Sequence, residues 1–321
     1  MYTKYPGEFS ALRSEQTRRI LVTGSSGQIG QELVPYLREY YGAHNVIASD
    51  VRPPTRTKGT NNGDYRLAGD FVYCDVVDAD NLARVVLEHS IDTIVHNASL
   101  LSAVGEQNPQ LAIRVNSRGI ENVLEVARSQ GVSVFAPSTI AVFGPSTQRE
   151  NTPDDTIMRP TTIYGTTKVY LELLGEYYHS KYGVDFRSMR YPGIISSKTM
   201  PGGGTTDYAV EIFYQAVKTK KYTSFLGEDS SLPMMYMPDC LRATRKLIDA
   251  PASALKRRVY NITSMSFTPK ELAASIQKLV PEFQIEYKPD FRQKIADSWP
   301  SSLDDNHARE DWGWAPSKLF F

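Results

Sequence analysis

One stretch near the start of the chain, ILVTGSSGQIGQELV over residues 20–34, constrains the fold more than any other. Gly24, Gly27 and Gly30 stand directly after an apolar run of strand length and directly before an amphipathic pattern that predicts a helix over Gln28–Tyr40. Glycines in that place let the chain turn sharply, bring the backbone close to a pyrophosphate and allow the helix start to pack tightly, leaving the anion at a helix N-terminus. Gln28 and Ile29, in the first turn, join the three glycines as expected cofactor contacts. A glycine trio alone is a weak signal. Strand, trio and helix in that order, at the head of an alternating chain, is a strong one.

The alternation continues. Strand-length apolar runs NVIASD, FVYCDV, TIVHNAS, SVFAPST and DFRSMRYPG are separated by helical patterns after Asp78, from about Pro109 to Ser129, and around Tyr164. Strands that are apolar almost throughout are buried on both faces, so the pattern predicts an α/β fold with a Rossmann-type, doubly wound parallel sheet. After Gly193 the alternation fails. A flexible PGGGTTD loop opens a predicted helix from about Thr206 to Lys218, RRVYNIT reads as a strand returning to the sheet, and TPKELAASIQKLV reads as a helix with Thr268 as N-cap and Pro269 at its first position. The expected division is a dinucleotide-binding domain over 1–193, with a returning segment around 234–263, and a smaller mixed α/β substrate lobe from 194–233 and 264–321. The Pro-, Gly- and Asn-rich stretch 52–69 reads as a surface loop.

Charge and cysteine content narrow the partners. Lys plus Arg and Asp plus Glu both number 36, so the formal charge is zero, which argues against nucleic acid or a polyanionic membrane surface. No run approaches the ~20 apolar residues that span a bilayer. Cys74 and Cys240 lie far apart, and His44, His89, His96, His179 and His307 show no ligand spacing, so a reduced compartment and no metal are expected. Lys4, Arg13, Arg18 and Arg19 are interrupted by Glu8 and Glu15 and precede no apolar run, which reads as neither a secretory signal nor a transit peptide.

The second strand ends at Asp50, where a carboxylate would accept both hydroxyls of a ribose and repel a 2′-phosphate, selecting NAD over NADP; Arg52 beside it softens that choice. Asp75 and Val76, ending the third strand, are placed for the adenine amino group, with an acid at the following helix start as the alternative reading of Asp75. Asn97, Ala98 and Ser99, after the fourth strand, should line the ribose and phosphate trough.

Three Tyr/Lys pairs sit at helical i, i+4 spacing: Tyr164 with Lys168, Tyr177 with Lys181, and Tyr214 with Lys218. Only Tyr164 follows a strand that ends in hydroxyls, Ser138 and Thr139, and ligands of open parallel sheets bind at such strand ends. A free tyrosine, with a pKa near ~10, is a poor base at neutral pH. Lys168 and an oxidised nicotinamide ring would both favour its phenolate, so Tyr164 is the expected acid/base residue, with Thr139 or Ser138 holding the reacting oxygen.

Together, the glycine trio, Asp50, Asp75, the strand-end Ser138–Thr139 and YGTTK resemble the extended short-chain dehydrogenase/reductases, over nearly the whole chain. More narrowly, LLSAVGE, APSTIAVFGP, YGTTK, RYPGIIS, GGGTTDYA and SLPMMYMPDC resemble the short-chain type of L-threonine 3-dehydrogenases. Nucleotide-sugar epimerases, the nearest relatives, carry an asparagine where this chain has Gly193, which removes one anchor for a pyrophosphate-linked substrate.

The narrower resemblance implies NAD-dependent oxidation of the L-threonine 3-hydroxyl by Tyr164, with Lys168 also on the nicotinamide ribose and Asn116 supporting that lysine. It implies that Pro192 and Gly193 press on the nicotinamide carboxamide. It assigns Ser102, Gly204, Thr205, Thr206 and the amides of the glycine-rich helix start to the substrate, with Asp207 facing the ammonium or, as the alternative, serving as a charge at the helix N-terminus. It further implies closure of the GGGTTD loop, a homodimer built from the helices at 109–129 and 162–182 as a four-helix bundle, and a mitochondrial matrix location in a eukaryote or a cytoplasmic one otherwise. A sugar-nucleotide epimerase or dehydratase, or a non-catalytic NAD sensor, are the alternatives.

Overall fold

The computed structural model describes residues 18–53, 69–200 and 202–317. The charged segment 1–17, most of the expected loop 52–69, and Pro201 of the glycine-rich loop lie outside them.

The first half alternates as its pattern demands: β1 (Ile20–Thr23), α1 (Gln28–Tyr41), β2 (Val46–Asp50), β3 (Phe71–Tyr73), α2 (Ala79–Glu88) and β4 (Thr93–His96). Next come α3 (Ser102–Gln107), α4 (Pro109–Ile113), a π-turn at Arg114–Arg118, α5 (Gly119–Gln130), β5 (Ser133–Phe135), β6 (Ser138–Thr139), α6 (Ile163–Tyr182) and β7 (Phe186–Tyr191). The second half holds β8 (Gly193–Ile195), α7 (Tyr208–Lys218), β9 (Lys221–Ser224), β10 (Leu232–Tyr236), α8 (Met237–Asp249) and β11 (Val259–Asn261). It ends with β12 (Met265–Phe267), α9 (Pro269–Leu279), β13 (Gln284–Tyr287), α10 (Phe291–Asp297) and α11 (Asn306–Trp312).

The main sheet runs β11-β7-β5-β4-β1-β2-β3, with β6 continuing beside β7, and its pairings are parallel. Alternate residues of β1 serve opposite faces. Ile20 and Val22 enter a core with Leu33 and Leu37 of α1 and Leu241 and Leu247 of α8. Leu21 enters the other, with Val85 of α2, Val123 of α5 and Leu171 of α6. Both faces are therefore covered, which is why the strands lack polar alternation. The chain leaves β1 in one direction through β2 and β3 and in the other from β4 onward, so the crevice at the carboxyl ends of β1 and β4 is the topological switch point.

RRVYNIT returns as expected: β11 pairs with β7 at the sheet edge. The predicted cap of α9 forms as a reciprocal capping box between Thr268 and Glu271, with Pro269 at the helix start. Three predicted boundaries differ. The run from Pro109 is interrupted by the π-turn that carries Asn116. The strand ending in Ser138–Thr139 is broken at Ala136–Pro137, since proline offers no N–H to the ladder. Finally, α7 begins at Tyr208 rather than Thr206, because residues 205–207 form a turn closed by Asp207.

A third core joins β9, β10, β12, α7 and α9, and it includes Ile140–Phe143, which directly follow the strand-end hydroxyls. Ile295, Trp299 and Leu303 share it too, whereas Ala308 and Trp314, further on, pack with α1 and α8. Among the described residues no helix is long and apolar enough to cross a membrane.

Candidate active site

A cavity of about 190 Å³ opens at the switch point and runs between the sheet edge and the second half of the chain. Its floor is the glycine loop. Gly24 has φ +67°, and a Cβ there would lie 2.6 Å from the Ala98 amide nitrogen, so this turn needs glycine both for conformation and for space. A Cβ on Gly30 would lie 2.4 Å from the Gly24 carbonyl oxygen, which is how closely α1 sits on the loop. Gly27 begins α1 without a side-chain cap, leaving the first-turn amides of Gln28 and Ile29 for an anion. Beside them, Gln28 Nε2 and both polar atoms of the Asn97 side chain are buried without a hydrogen-bond partner. Buried polar groups are rarely left unpaired, so this wall fits a ligand rich in phosphate and hydroxyl groups, as a dinucleotide is.

Asp50 ends β2 with its carboxylate anchored at the rim: Oδ2 accepts from the Ser26 amide and Oδ1 from the Arg52 amide, both at 3.0 Å. The Arg52 side chain is mostly exposed, with Nε 3.9 Å from Asp50. Asp75 Oδ1 accepts from the Val77 amide at 3.0 Å and holds the turn before α2, whose N-cap is Asp78, not Asp75. The Val76 carbonyl is taken by Asn122 Nδ2 at 2.9 Å. Asp50, Asp75, Val76, Ala98 and Asn116 stand outside the lining of the cavity, whereas Asn97, Ser99 and Pro192 are part of it.

Deeper in, Thr139, Tyr164 and Lys168 line the cavity together. Thr162 caps α6 by accepting from the Gly165 amide at 3.0 Å, so Tyr164 sits in the first turn, level with the end of β6. Lys168, one turn on, places Nζ 5.7 Å from the Tyr164 ring centroid. Its ammonium donates to the Pro137 carbonyl at 2.7 Å. The expected support from Asn116 takes another form. That carboxamide accepts from the Ser99 hydroxyl and the Leu100 amide, and donates to Thr167 Oγ1 at 3.1 Å, tying the loop after β4 to α6 next to the lysine.

Two further features bear on the proton chemistry. In the protein by itself the Tyr164 phenol is not drawn down: burial pushes it up to about 12, and the facing Thr139 hydroxyl lowers it only in part. Burial also pulls Lys168 down to about 8, against Glu172, which raises it. Ser138 and Thr139 are not interchangeable. The Ser138 hydroxyl donates to the buried Glu172 carboxylate, whereas Thr139 Oγ1 accepts from the Ala141 amide at 3.2 Å and faces the phenol. The competing pairs lie elsewhere: Tyr177 and Tyr214 are both exposed.

On the far wall, Ser102 Oγ and Thr205 Oγ1 are buried 3.5 Å apart, with Gly204, Thr206 and Asp207 alongside. The glycine-loop amides expected to be free are occupied, since Asp207 Oδ2 accepts from those of Gly203 at 2.8 Å and Gly204 at 2.7 Å. Burial pushes this carboxyl up to about 6 even so. Ile140 and Trp299 also line it; Trp299 belongs to none of the quoted segments and arrives from the end of the chain only through folding. Glu172 was legible as a third member of the Tyr164, Lys168 series at helical spacing.

Residues 20–263 match the model of the NAD dependent epimerase/dehydratase family. The chain is 52% identical over 298 residues to the mitochondrial L-threonine 3-dehydrogenase of Bos taurus, covering 92% of this chain and 78% of that one. Among solved structures, L-threonine dehydrogenase from Phytophthora infestans is 63% identical with a TM-score of 0.89, covering 94% of each chain. The holo form of the GalE-like L-threonine dehydrogenase from Cupriavidus necator is 50% identical with a TM-score of 0.89, covering 94% of this chain and 95% of that one.

Proposed function

The chain belongs to the NAD-dependent epimerase/dehydratase family, and from its likeness to L-threonine dehydrogenases we propose that it oxidises the 3-hydroxyl of L-threonine to give 2-amino-3-oxobutyrate. Its cofactor is NAD. The observation that carries the substrate reading is the meeting of Thr139, Tyr164 and Lys168 in the same cavity as the hydroxyls of Ser102, Thr205 and Thr206. A small amino acid alcohol has a use for every one of these groups.

When bound, oxidised NAD supplies the acceptor for the hydride that leaves C3. The chain's own task is the proton. Tyr164 Oη takes it from the 3-hydroxyl, while the Thr139 hydroxyl holds the same oxygen in place. Lys168 supplies positive charge within a buried site, where a charge acts more strongly than in water. Ser102, Thr205 and Thr206 take the substrate carboxylate, and Asp207 turns from its own loop toward the ammonium. The loop at 202–207 and the lobe beyond it close over the bound amino acid, excluding water. The product is a β-keto acid, which loses CO₂ to give aminoacetone or passes to a CoA-dependent ligase.

Gly193 favours this reading over a sugar-nucleotide epimerase. A Cβ there would lie 2.3 Å from Met234 Sδ and 2.8 Å from Thr206 Cβ, so the asparagine of those enzymes does not fit in this packing. Leu173 and Tyr177, 55% and 47% exposed on α6, support a homodimer through the α4, α5 and α6 faces. We infer the mitochondrial matrix for a eukaryotic source and the cytoplasm otherwise; the bovine relative is named as mitochondrial.

The deciding assay follows NADH absorbance with L-threonine for the wild type and Tyr164→Phe. Activity in the first and a loss of at least ~100-fold in the second are expected. Turnover of a nucleotide sugar by protein that retains its NAD, with none on L-threonine, would overturn the reading.

A further inference from the structure

Glu172 lies one helical turn beyond Lys168, which lies one turn beyond Tyr164, so the three side chains share one face of α6. The carboxylate is 1% exposed. Oε1 accepts from the Ser138 hydroxyl and from Arg190 Nε at 2.9 Å, and Oε2 accepts from Arg190 Nη2 at 2.8 Å. Arg190 is itself fixed: its guanidinium stands over the Phe143 ring at 5.2 Å, and Nη1 donates to the Asp154 carbonyl and to Asn261 Oδ1. Meanwhile Lys168 donates to the carbonyl of Pro137, the residue just before Ser138. Two successive residues of one chain segment are thus tied to two successive turns of α6, and Thr139 is left facing Tyr164.

We propose that Glu172 is a positioning residue for the reaction: clamped by Arg190, its carboxylate stands as counter-charge one helical turn from the buried Lys168 and turns the Ser138 hydroxyl away from the substrate, so that Thr139 alone serves Tyr164. This rests on the reading of Tyr164 as the acid/base group. The direction of the Lys168 shift agrees, since Glu172 is the group that opposes the effect of burial. The other charged and titratable neighbours are few. Glu176 follows on α6; Arg190, on β7, is surrounded by Glu172, Asp154 and Glu176; Asp155 and Arg257 lie beyond Glu176; and His96, on β4, faces Lys168 and is held neutral by burial. Removing the Glu172 charge therefore leaves Lys168 without the carboxylate one turn away, and leaves Arg190 with Asp154 and Glu176.

The test compares wild type, Glu172→Gln and Glu172→Asp in full-length protein by two readouts, NADH affinity from fluorescence and kcat/KM, each against pH. In Glu172→Gln, the pH at which NADH affinity falls and the alkaline limb of kcat/KM should both drop by about one pH unit, the direction expected when a buried cation loses its counter-charge. Glu172→Asp, which keeps the charge, should leave both where the wild type has them. Folded Glu172→Gln with both profiles superimposed on the wild type overturns the proposal. Should that variant not fold, Glu172→Asp decides: unmoved profiles support the proposal and displaced ones sink it. NADH binding needs neither L-threonine nor turnover, so its shift separates failure of this proposal from failure of the substrate assignment.

Discussion

The carboxylate of Asp207 accepts a hydrogen bond from the backbone amide of Gly204 at 2.7 Å, and it takes the Gly203 amide as well. An acid on this loop thereby occupies donors that a substrate carboxylate could use. Burial outweighs those amides and pushes the group up to about 6.

That shift has a definite sign. A carboxyl with a folded-state pKa above its unfolded one contributes stability below about pH 4, and that contribution is lost as pH rises through about 6. Asp207→Asn removes the charge, so it should be more stable than the wild type at pH 7 by about 1–3 kcal/mol and no more stable at pH 4. Urea unfolding at the two pH values checks this, and an equal difference at both would refute it. The same variant should raise KM for L-threonine, because its side chain no longer opposes the ammonium.

The two strand-end hydroxyls should separate kinetically. Ser138 is committed to Glu172, whereas Thr139 faces the phenol. Thr139→Ala should therefore lose at least ~10-fold more in kcat than Ser138→Ala. Steady-state rates decide the matter, and equal losses would mean that both hydroxyls touch the reacting oxygen.

Leu173 and Tyr177, exposed on α6, are expected to be covered by a second copy. Light scattering at micromolar concentration should give the mass of two chains for the wild type, and of one chain for Leu173→Arg, since an unpaired charge in an interface core is costly. A wild type of single-chain mass would remove the dimer from the account.

Much of the fold was legible because its signals are local. Continuous apolar runs such as Ile20–Val22 mark strands covered on both faces, and Gly24 and Gly30 mark a turn with no room for a side chain. Tyr164 was separable from Tyr177 and Tyr214 because a strand ending in hydroxyls precedes it. Less visible was anything set by contacts distant in the chain. The π-turn under Asn116 and the arrival of Trp299 at the cavity each depend on segments that meet only after folding.

The sequence by itself determined the sheet, the dinucleotide loop and which tyrosine and lysine stand together, since periodicity and spacing are properties of neighbouring residues. Tertiary structure alone decided that Ser138 belongs to Glu172 and Thr139 to Tyr164, that Asp207 occupies its own loop, and that the phenol of the protein by itself lies above its ordinary range. Those outcomes follow from burial and from which donors and acceptors come within reach, and no spacing along the chain encodes either.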